Sequence, residues 1–137
     1  MKTTMRLLAL GILLAVTGWQ NTMPAHVVNS TPTFDVTGIW KSNAGDTMEV
    51  FQEKDEVNAI LVSNAGFAHR LAGRYVSLTT IRMIMIRRTR PNVCEMTMDV
   101  NITVNSANAL SLVSVAAETA CGLTSGQSFP NTFTRIL

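Results

Sequence analysis

Apolar and polar residues alternate with a period of two along most of this chain. The clearest stretch is 94–104, where Met96, Met98 and Val100 alternate with polar neighbours. This pattern is typical of an antiparallel strand with one face on a core and the other in water. Seven further segments of this kind are 36–42, 47–53, 56–63, 67–76, 79–88, 109–117 and 131–137. Because eight strands close a small barrel, the predicted fold is all-β: an eight-stranded antiparallel up-and-down (meander) β-barrel over residues 36–137.

The fifth predicted strand, 79–88, departs from this alternation because both of its faces are apolar. Its even-numbered face carries Ile84 and Ile86, in addition to the apolar odd-numbered face that the barrel interior requires. An antiparallel strand with two apolar faces is expected to be covered on its outside. We predict that either the N-terminal lead-in or a second subunit covers it, with the lead-in slightly favoured.

The first 25 residues have the pattern of an export signal. Lys2 and Arg6 precede a short apolar run, and small residues suited to cleavage follow, with cleavage after Gly18 or after Ala25. The apolar run is shorter than the roughly 20 residues that a membrane-spanning helix needs. We therefore predict a signal peptide over 1–25, a periplasmic or secreted protein, and no membrane span in the mature chain.

The predicted mature chain starts with a polar lead-in, 26–35, which we expect to be flexible because it contains Pro32 and many small polar residues. Two of the 11 basic residues, Lys2 and Arg6, belong to the signal, so nine basic residues face nine acidic ones in the remainder. Nucleic-acid-binding proteins usually carry a net basic surface. We therefore predict no nucleic-acid partner.

Two segments, 94–104 and 109–117, form a predicted hairpin in which one register brings apolar residues together and also aligns the two cysteines. Its pairs are Ile102 with Val113, Val100 with Val115, Met98 with Ala117, and Cys94 with Cys121. An even number of cysteines in an exported chain favours a disulfide, so we predict a bond between Cys94 and Cys121. Two cysteines and His69 lack the spacing of a zinc site, and we predict no metal and no cofactor.

Closure of the meander places the first strand beside the last, which brings Trp40 and Arg135 together. We expect the indole and the guanidinium to stack at one end of the barrel. The motif Thr37-Gly38-Ile39-Trp40, the eight strands and the basic residue on the last strand resemble the calycin superfamily of lipocalins, fatty-acid-binding proteins and avidins. This resemblance implies that Trp40 packs against Arg135 at a closed barrel end. The polar residues that avidins use for biotin are not reproduced, so biotin is not the expected ligand.

A second resemblance involves the segment Leu71-Ala72-Gly73-Arg74-Tyr75-Val76-Ser77. It is similar to a loop of small periplasmic barrels that inhibit lysozyme and contain a disulfide. The resemblance implies that Arg74, Tyr75 and Ser77 contact a protein partner.

The methionines are the main candidates for ligand contact inside the barrel, because methionine gives a soft interior suited to apolar ligands. With the closing pair, the predicted ligand-binding residues are Trp40, Met48, Met83, Met85, Met96, Met98 and Arg135. The alternative is that methionine fills an irregular core and that Trp40 and Arg135 only close the barrel floor. The leading hypothesis is an exported lipocalin-like barrel that binds a small apolar or amphipathic ligand.

Arginines around the fifth strand support a competing hypothesis, a protein-interaction or inhibitor module without a small ligand. Arginine captures carboxylates and acidic protein surfaces, although a charged hairpin also keeps a strand edge soluble. The predicted interaction residues are Arg74, Tyr75, Ser77, Arg87, Arg88 and Arg90. No nucleophile with a nearby base and no phosphate loop is evident, so we predict that the protein is not an enzyme.

Overall fold

The computed structural model describes residues 31–90 and 94–137, so the predicted signal peptide and residues 26–30 lie outside the described part. Eight strands are present: β1 (Gly38–Ser42), β2 (Thr47–Glu53), β3 (Glu56–Val62), β4 (Ala68–Tyr75), β5 (Thr80–Arg90), β6 (Cys94–Ser106), β7 (Ala109–Ala116) and β8 (Ser128–Arg135). Each pairs antiparallel with the next, and β8 pairs with β1, which closes the sheet. The predicted meander barrel is confirmed. Among these residues, no helix has the length and apolar character needed to cross a membrane.

Alternation along each strand separates the barrel interior from its outer face. On β3, Val57, Ala59 and Leu61 are buried, whereas Asn58 and Ile60 between them are exposed. The same period of two fills the interior with apolar side chains on the other strands. All five methionines singled out in the sequence are buried there: Met48, Met83, Met85, Met96 and Met98.

Glycine is required at two places where backbones come too close for any side chain. Gly73 occupies an inward position on β4, and a Cβ atom there would overlap the carbonyl oxygen of Arg82 on the neighbouring strand. Gly38 has a φ of +146°, and a Cβ atom there would overlap the carbonyl oxygen of Leu137. The first glycine allows the close approach of β4 and β5, and the second allows the C-terminus to lie beside β1.

The predicted register of the β6–β7 hairpin is wrong by one residue. Ile102 pairs with Leu112, and the other observed pairs are Val100 with Ser114 and Met98 with Ala116. The predicted spacing holds at the hairpin tip, where Ser106 pairs with Ala109, but a β-bulge then shifts the pairing between Val104 and Ser106. A shift of one residue exchanges the faces, so the inward side of β7 carries Ser114 and not its valine neighbours.

The two ends of the barrel differ in how the chain crosses them. At the closed end, defined by Trp40 and Arg135, the described part of the lead-in lies against the barrel. The backbone N–H of Thr33 donates to the carbonyl of Leu78, and Val36 is buried. At the open end, the opposite one, the connections 43–46, 63–67 and 117–127 surround the entrance to the interior.

The outer face of β5 is not covered by the described residues, because the described lead-in residues lie at the closed end. Ile84 is 54% exposed and Ile86 is 36% exposed. The expectation that the lead-in covers this strand is therefore wrong for residues 31–35, and residues 26–30 lie outside the described part. The apolar outer face of β5 remains without a partner among the described residues.

Candidate functional site

The closed end contains the predicted stack of an indole and a guanidinium. Trp40 and Arg135 are cross-strand partners on β1 and β8, and the guanidinium carbon lies 4.7 Å from the centre of the Trp40 ring. The Trp40 side chain is fully buried, and its Nε1–H donates to the carbonyl of Val36 at 2.9 Å. The juxtaposition that the sequence predicted is thus confirmed, and it carries a cation–π contact.

Other polar groups at the closed end are also bound by the lead-in. The hydroxyl of Tyr75 donates to the carbonyl of Phe34 at 3.0 Å, and Arg135 Nη2 donates to the carbonyl of Asp35. Burial raises the pKa of Tyr75 to about 12, because the tyrosinate would lose its hydration. Neither Trp40 nor Arg135 lines the cavities at the open end or on the outer face. This geometry supports a role for both in closing the barrel.

The open end contains a space that we call the mouth cavity, with a volume of about 190 Å³. Its apolar wall is formed by Leu61, Met85, Met98, Leu112 and Phe133, each from a different strand between β3 and β8. Its polar and aromatic groups are Asp46, Ser63, His69, Arg87, Ser114, Phe129 and Asn131. An apolar concave site with a few placed polar groups at a barrel mouth is the usual form of a small-ligand site.

The methionines divide between this cavity and the packed interior. Met85 and Met98 line the mouth cavity, whereas Met48, Met83 and Met96 do not. These three are buried in the core cluster, and Met83 also borders a concave area on the outer side of β4 to β6. Of the predicted ligand-binding residues, only Met85 and Met98 are thus brought to one cavity.

Arg87 and Asp46 are the charged groups that line the mouth cavity, and His69 lies near both of them. His69 Nδ1 accepts the backbone N–H of Arg88 at 3.2 Å, so a neutral imidazole carries its proton on Nε2. Burial lowers the pKa of His69 below the usual 6.5, the charge of Arg87 lowers it further, and the charge of Asp46 partly opposes both. His69 is therefore a neutral hydrogen-bond donor near pH 7.

Arg87 is held over an aromatic ring at the same entrance. Its guanidinium carbon lies 5.7 Å from the centre of the Phe129 ring, which lies at the start of β8 and lines the same cavity. The ring orients the guanidinium without neutralising its charge. Among the described residues the one ion pair is Arg88 with Glu95, so Arg87 keeps its positive charge available at the entrance.

Asp46 connects three segments at the open end. One carboxylate oxygen accepts the backbone N–H of Asn64 at 2.8 Å, and the other accepts the side-chain amide of Asn131 at 3.0 Å. Its own backbone N–H donates to Ser42 Oγ at 3.0 Å. Because these donors satisfy the carboxylate, Asp46 is a structural clamp of the entrance.

A second space, the side cavity, adjoins the mouth cavity. It has a volume of about 270 Å³ and is lined by Ala65, Phe67 and Thr89 together with Ser63, His69 and Arg87, which also line the mouth cavity. His69 and Arg87 thus stand between the two spaces.

The predicted interaction residues do not form one surface. Arg74 and Ser77 are exposed, but Tyr75 is buried and its hydroxyl is used by Phe34. Alternation on β5 sends Arg87 to the entrance and Arg88 to the outer face, where Arg88 pairs with Glu95 at 2.8 Å. Arg90 ends β5, and its side chain lies outside the described part. Their contact with a partner stays a prediction.

The predicted disulfide is confirmed and lies at the open end. Cys94 and Cys121 are bonded, with their Cα atoms 5.6 Å apart. The strand register does not align them, since β7 ends at Ala116. The chain instead turns, and Cys121 adopts a φ of +53° beside the bridge between Ala120 and Leu123.

Sequence reasoning missed most of the polar groups of the mouth cavity. His69 was considered only as a zinc ligand, and Phe129, Asn131 and Ser63 were not singled out. The inward parity of His69 on β4, shared with Leu71, was the one available signal.

Comparisons with known proteins add no family to this picture. No model of a protein family matches the chain, and no curated protein matches it significantly in sequence. No cluster of three or more His, Cys, Asp or Glu side chains suited to a metal ion occurs among residues 31–90 and 94–137.

Proposed function

We propose that this protein is an exported binding protein that takes a small amphipathic anion at the open end of its barrel. The observation that carries the proposal is the mouth cavity, where an apolar wall meets the Arg87 guanidinium and the Nε2–H of His69. The ligand's apolar part would lie against Met85 and Met98. Its anionic group would accept charge-assisted hydrogen bonds from Arg87.

The size of the cavity limits the ligand. A volume of about 190 Å³ is below the roughly 300–1,000 Å³ of sites for drug-sized molecules. The adjoining side cavity of about 270 Å³ shares Ser63, His69 and Arg87 with the mouth cavity and offers further space for the ligand. Met85 and Met98 have unbranched side chains that repack readily, which favours a range of short apolar chains over one shape.

The Cys94–Cys121 disulfide supports the exported location, periplasmic or secreted. Such bonds persist mainly in oxidising compartments outside the cytoplasm. The proposal is one of binding without catalysis.

Straight-chain carboxylates of increasing length test the proposal by isothermal titration calorimetry, using protein freed of bound material by unfolding and refolding. Affinity should rise about fourfold per methylene, from ~0.8 kcal/mol for each buried CH₂, and stop rising once the two cavities are full. Arg87→Gln should weaken carboxylate binding by about tenfold or more, because a hydrogen bond to a charged group is lost. Native mass spectrometry of the purified protein should also reveal a co-purified ligand.

Two controls separate this site from general surface binding. Straight-chain alcohols of the same length should bind equally to the wild type and to Arg87→Gln, since they carry no charge. Lys41→Gln removes a positive charge from the outer face of β1 and should leave carboxylate binding unchanged. Equal carboxylate affinities for wild type and Arg87→Gln would exclude the mouth cavity as the site.

A further inference from the structure

Two concave areas lie on the outer face of the barrel, across strands β3 to β6. The first has a volume of about 560 Å³ and is lined by Ala72, Arg74, Arg82, Ile84 and Asp99 among others. The second, of about 510 Å³, is lined by Ile60, Ala68, Arg70, Ile86, Arg88 and Glu95. Ile84 and Ile86 are two residues apart on one face of β5, so the areas form one continuous surface, the outer groove.

The floor of the outer groove is apolar although it is exposed to solvent. Ile84 is 54% exposed, Ile60 is 42% exposed and Ile86 is 36% exposed. Arg70 on β4 pairs in register with both Ile60 and Ile86, so its side chain separates Ile60 from the adjacent pair Ile84 and Ile86 on β5. A contiguous exposed apolar patch with a polar border marks an interaction site.

The arginines of the outer groove indicate the charge of its partner. Arg74 and Arg82 are direct cross-strand partners on the outer face. Side chains in such positions are about 5 Å apart at Cβ, and like charges there repel. Neither arginine has a carboxylate within ion-pair distance, since Arg88 with Glu95 is the one ion pair among the described residues. A carboxylate from outside, placed between them, would remove the repulsion.

We propose that the outer groove docks an extended acidic segment of a partner protein, with its carboxylates on Arg74 and Arg82 and its apolar side chains on Ile84 and Ile86. The groove's own acidic residues argue against a uniformly anionic membrane surface. Glu56 pairs in register with Arg74, and Asp99 pairs with Ile84. The carboxylates of Glu56 and Asp99 would therefore repel an anionic membrane surface.

A second copy of the chain fits less well than an acidic segment. Four arginines of the outer groove, Arg70, Arg74, Arg82 and Arg88, face three acidic residues, Glu56, Glu95 and Asp99. Two such surfaces brought together would keep an excess of positive charge. An acidic protein segment instead adds carboxylates that can pair with the arginines. Apolar side chains between those carboxylates can contact the isoleucines of the groove.

A short fluorescent peptide of alternating glutamate and leucine tests the proposal by fluorescence anisotropy, against a lysine–leucine peptide of equal length. The acidic peptide should bind, more weakly as salt is raised, and the basic one should not. Arg82→Glu should reduce binding at least tenfold. This variant should still fold, because an opposite-charge pair with Arg74 replaces a like-charge pair. Ile84→Ser should reduce binding several-fold.

Matched measurements distinguish the other occupants. Arg87→Gln, at the barrel entrance, should bind the acidic peptide as well as the wild type does. Equal binding by wild type and Arg82→Glu would overturn the proposal. So would sedimentation of the protein with phosphatidylglycerol vesicles without peptide binding, or a dimer in analytical ultracentrifugation that Ile84→Ser converts to monomer.

Discussion

The two ends of this barrel are built from the same strands but use their polar groups in opposite ways. At the closed end, Trp40, Tyr75 and Arg135 all bind backbone carbonyls or rings of the protein itself. At the open end, Arg87 stacks on Phe129 without an acidic partner, and His69 retains a donor beside a cavity. Most donors of the closed end are thus used internally and stabilise the fold, with Arg135 Nε as the buried donor that lacks a partner among the described residues, whereas the donors of the open end are available to a ligand.

The chain connections explain this difference. The described lead-in runs from Thr33 to Val36 against the closed end and supplies acceptors to its side chains. The open end has no such segment among the described residues and is held instead by the Asp46 clamp and the Cys94–Cys121 disulfide. Crosslinks and clamps around the rim keep the entrance ordered without filling it.

The largest expected effect comes from removing the closing indole. Trp40→Ala should lower the free energy of unfolding by about 3–5 kcal/mol, because it opens a cavity and removes the stack on Arg135. Phe129→Ala is the matched change at the open end, and it should cost less because the ring is only partly buried. Urea unfolding followed by circular dichroism measures both. Similar losses for the two variants would contradict the division between ends.

The disulfide should have the next largest effect, and a local one. Replacing both Cys94 and Cys121 by serine should lower the free energy of unfolding by about 3 kcal/mol, since the bond closes a loop between residues 27 apart. Amide hydrogen exchange should accelerate most in 117–127 and at the start of β6. Exchange that accelerates equally at β1 and the end of β8 would show that the two ends are not independent.

Alkaline pH should test the burial of Tyr75, the one tyrosine of the chain, at the closed end. The pKa of Tyr75 is about 12 in the folded protein against an ordinary value of 10.0. The unfolded chain therefore loses this proton first, so stability is complete below pH 10 and falls as pH rises towards 12, by about 2 kcal/mol. Tyrosinate absorbance measures the pKa directly. Tyr75→Phe should remove this slope, and an ordinary titration near 10 would argue against a buried Tyr75.

Local alternation was enough to predict the strands, because each strand buries one face regardless of what its neighbours are. Closure then required Trp40 and Arg135 to meet, and the calycin resemblance implied the same contact. The pairing of Cys94 with Cys121 was also predictable, although through a register that the structure does not have. A correct conclusion was reached there by a partly wrong route.

The register error and the missed cavity have a common origin in long-range geometry. A single bulge near Ser106 exchanges the faces of β7, and nothing in the local alternation of Val113 and Val115 reveals it. Ser114, which this shift turns inward, then becomes part of the mouth cavity. The polar groups of that cavity come from segments far apart in sequence, so no spacing rule connects them.

By itself, the sequence determined the class of fold, the number of strands, the closing contact of Trp40 with Arg135 and the disulfide, since each depends on alternation or on the order of strands along the chain. Only the tertiary structure decided which inward residues pack tightly and which border empty space. It also decided that Arg87 reaches the entrance while Arg74 and Arg82 meet on the outer face. The physical reason is that cavities and charge clusters depend on strand tilt, bulges and loop paths, which sum contributions from the whole barrel.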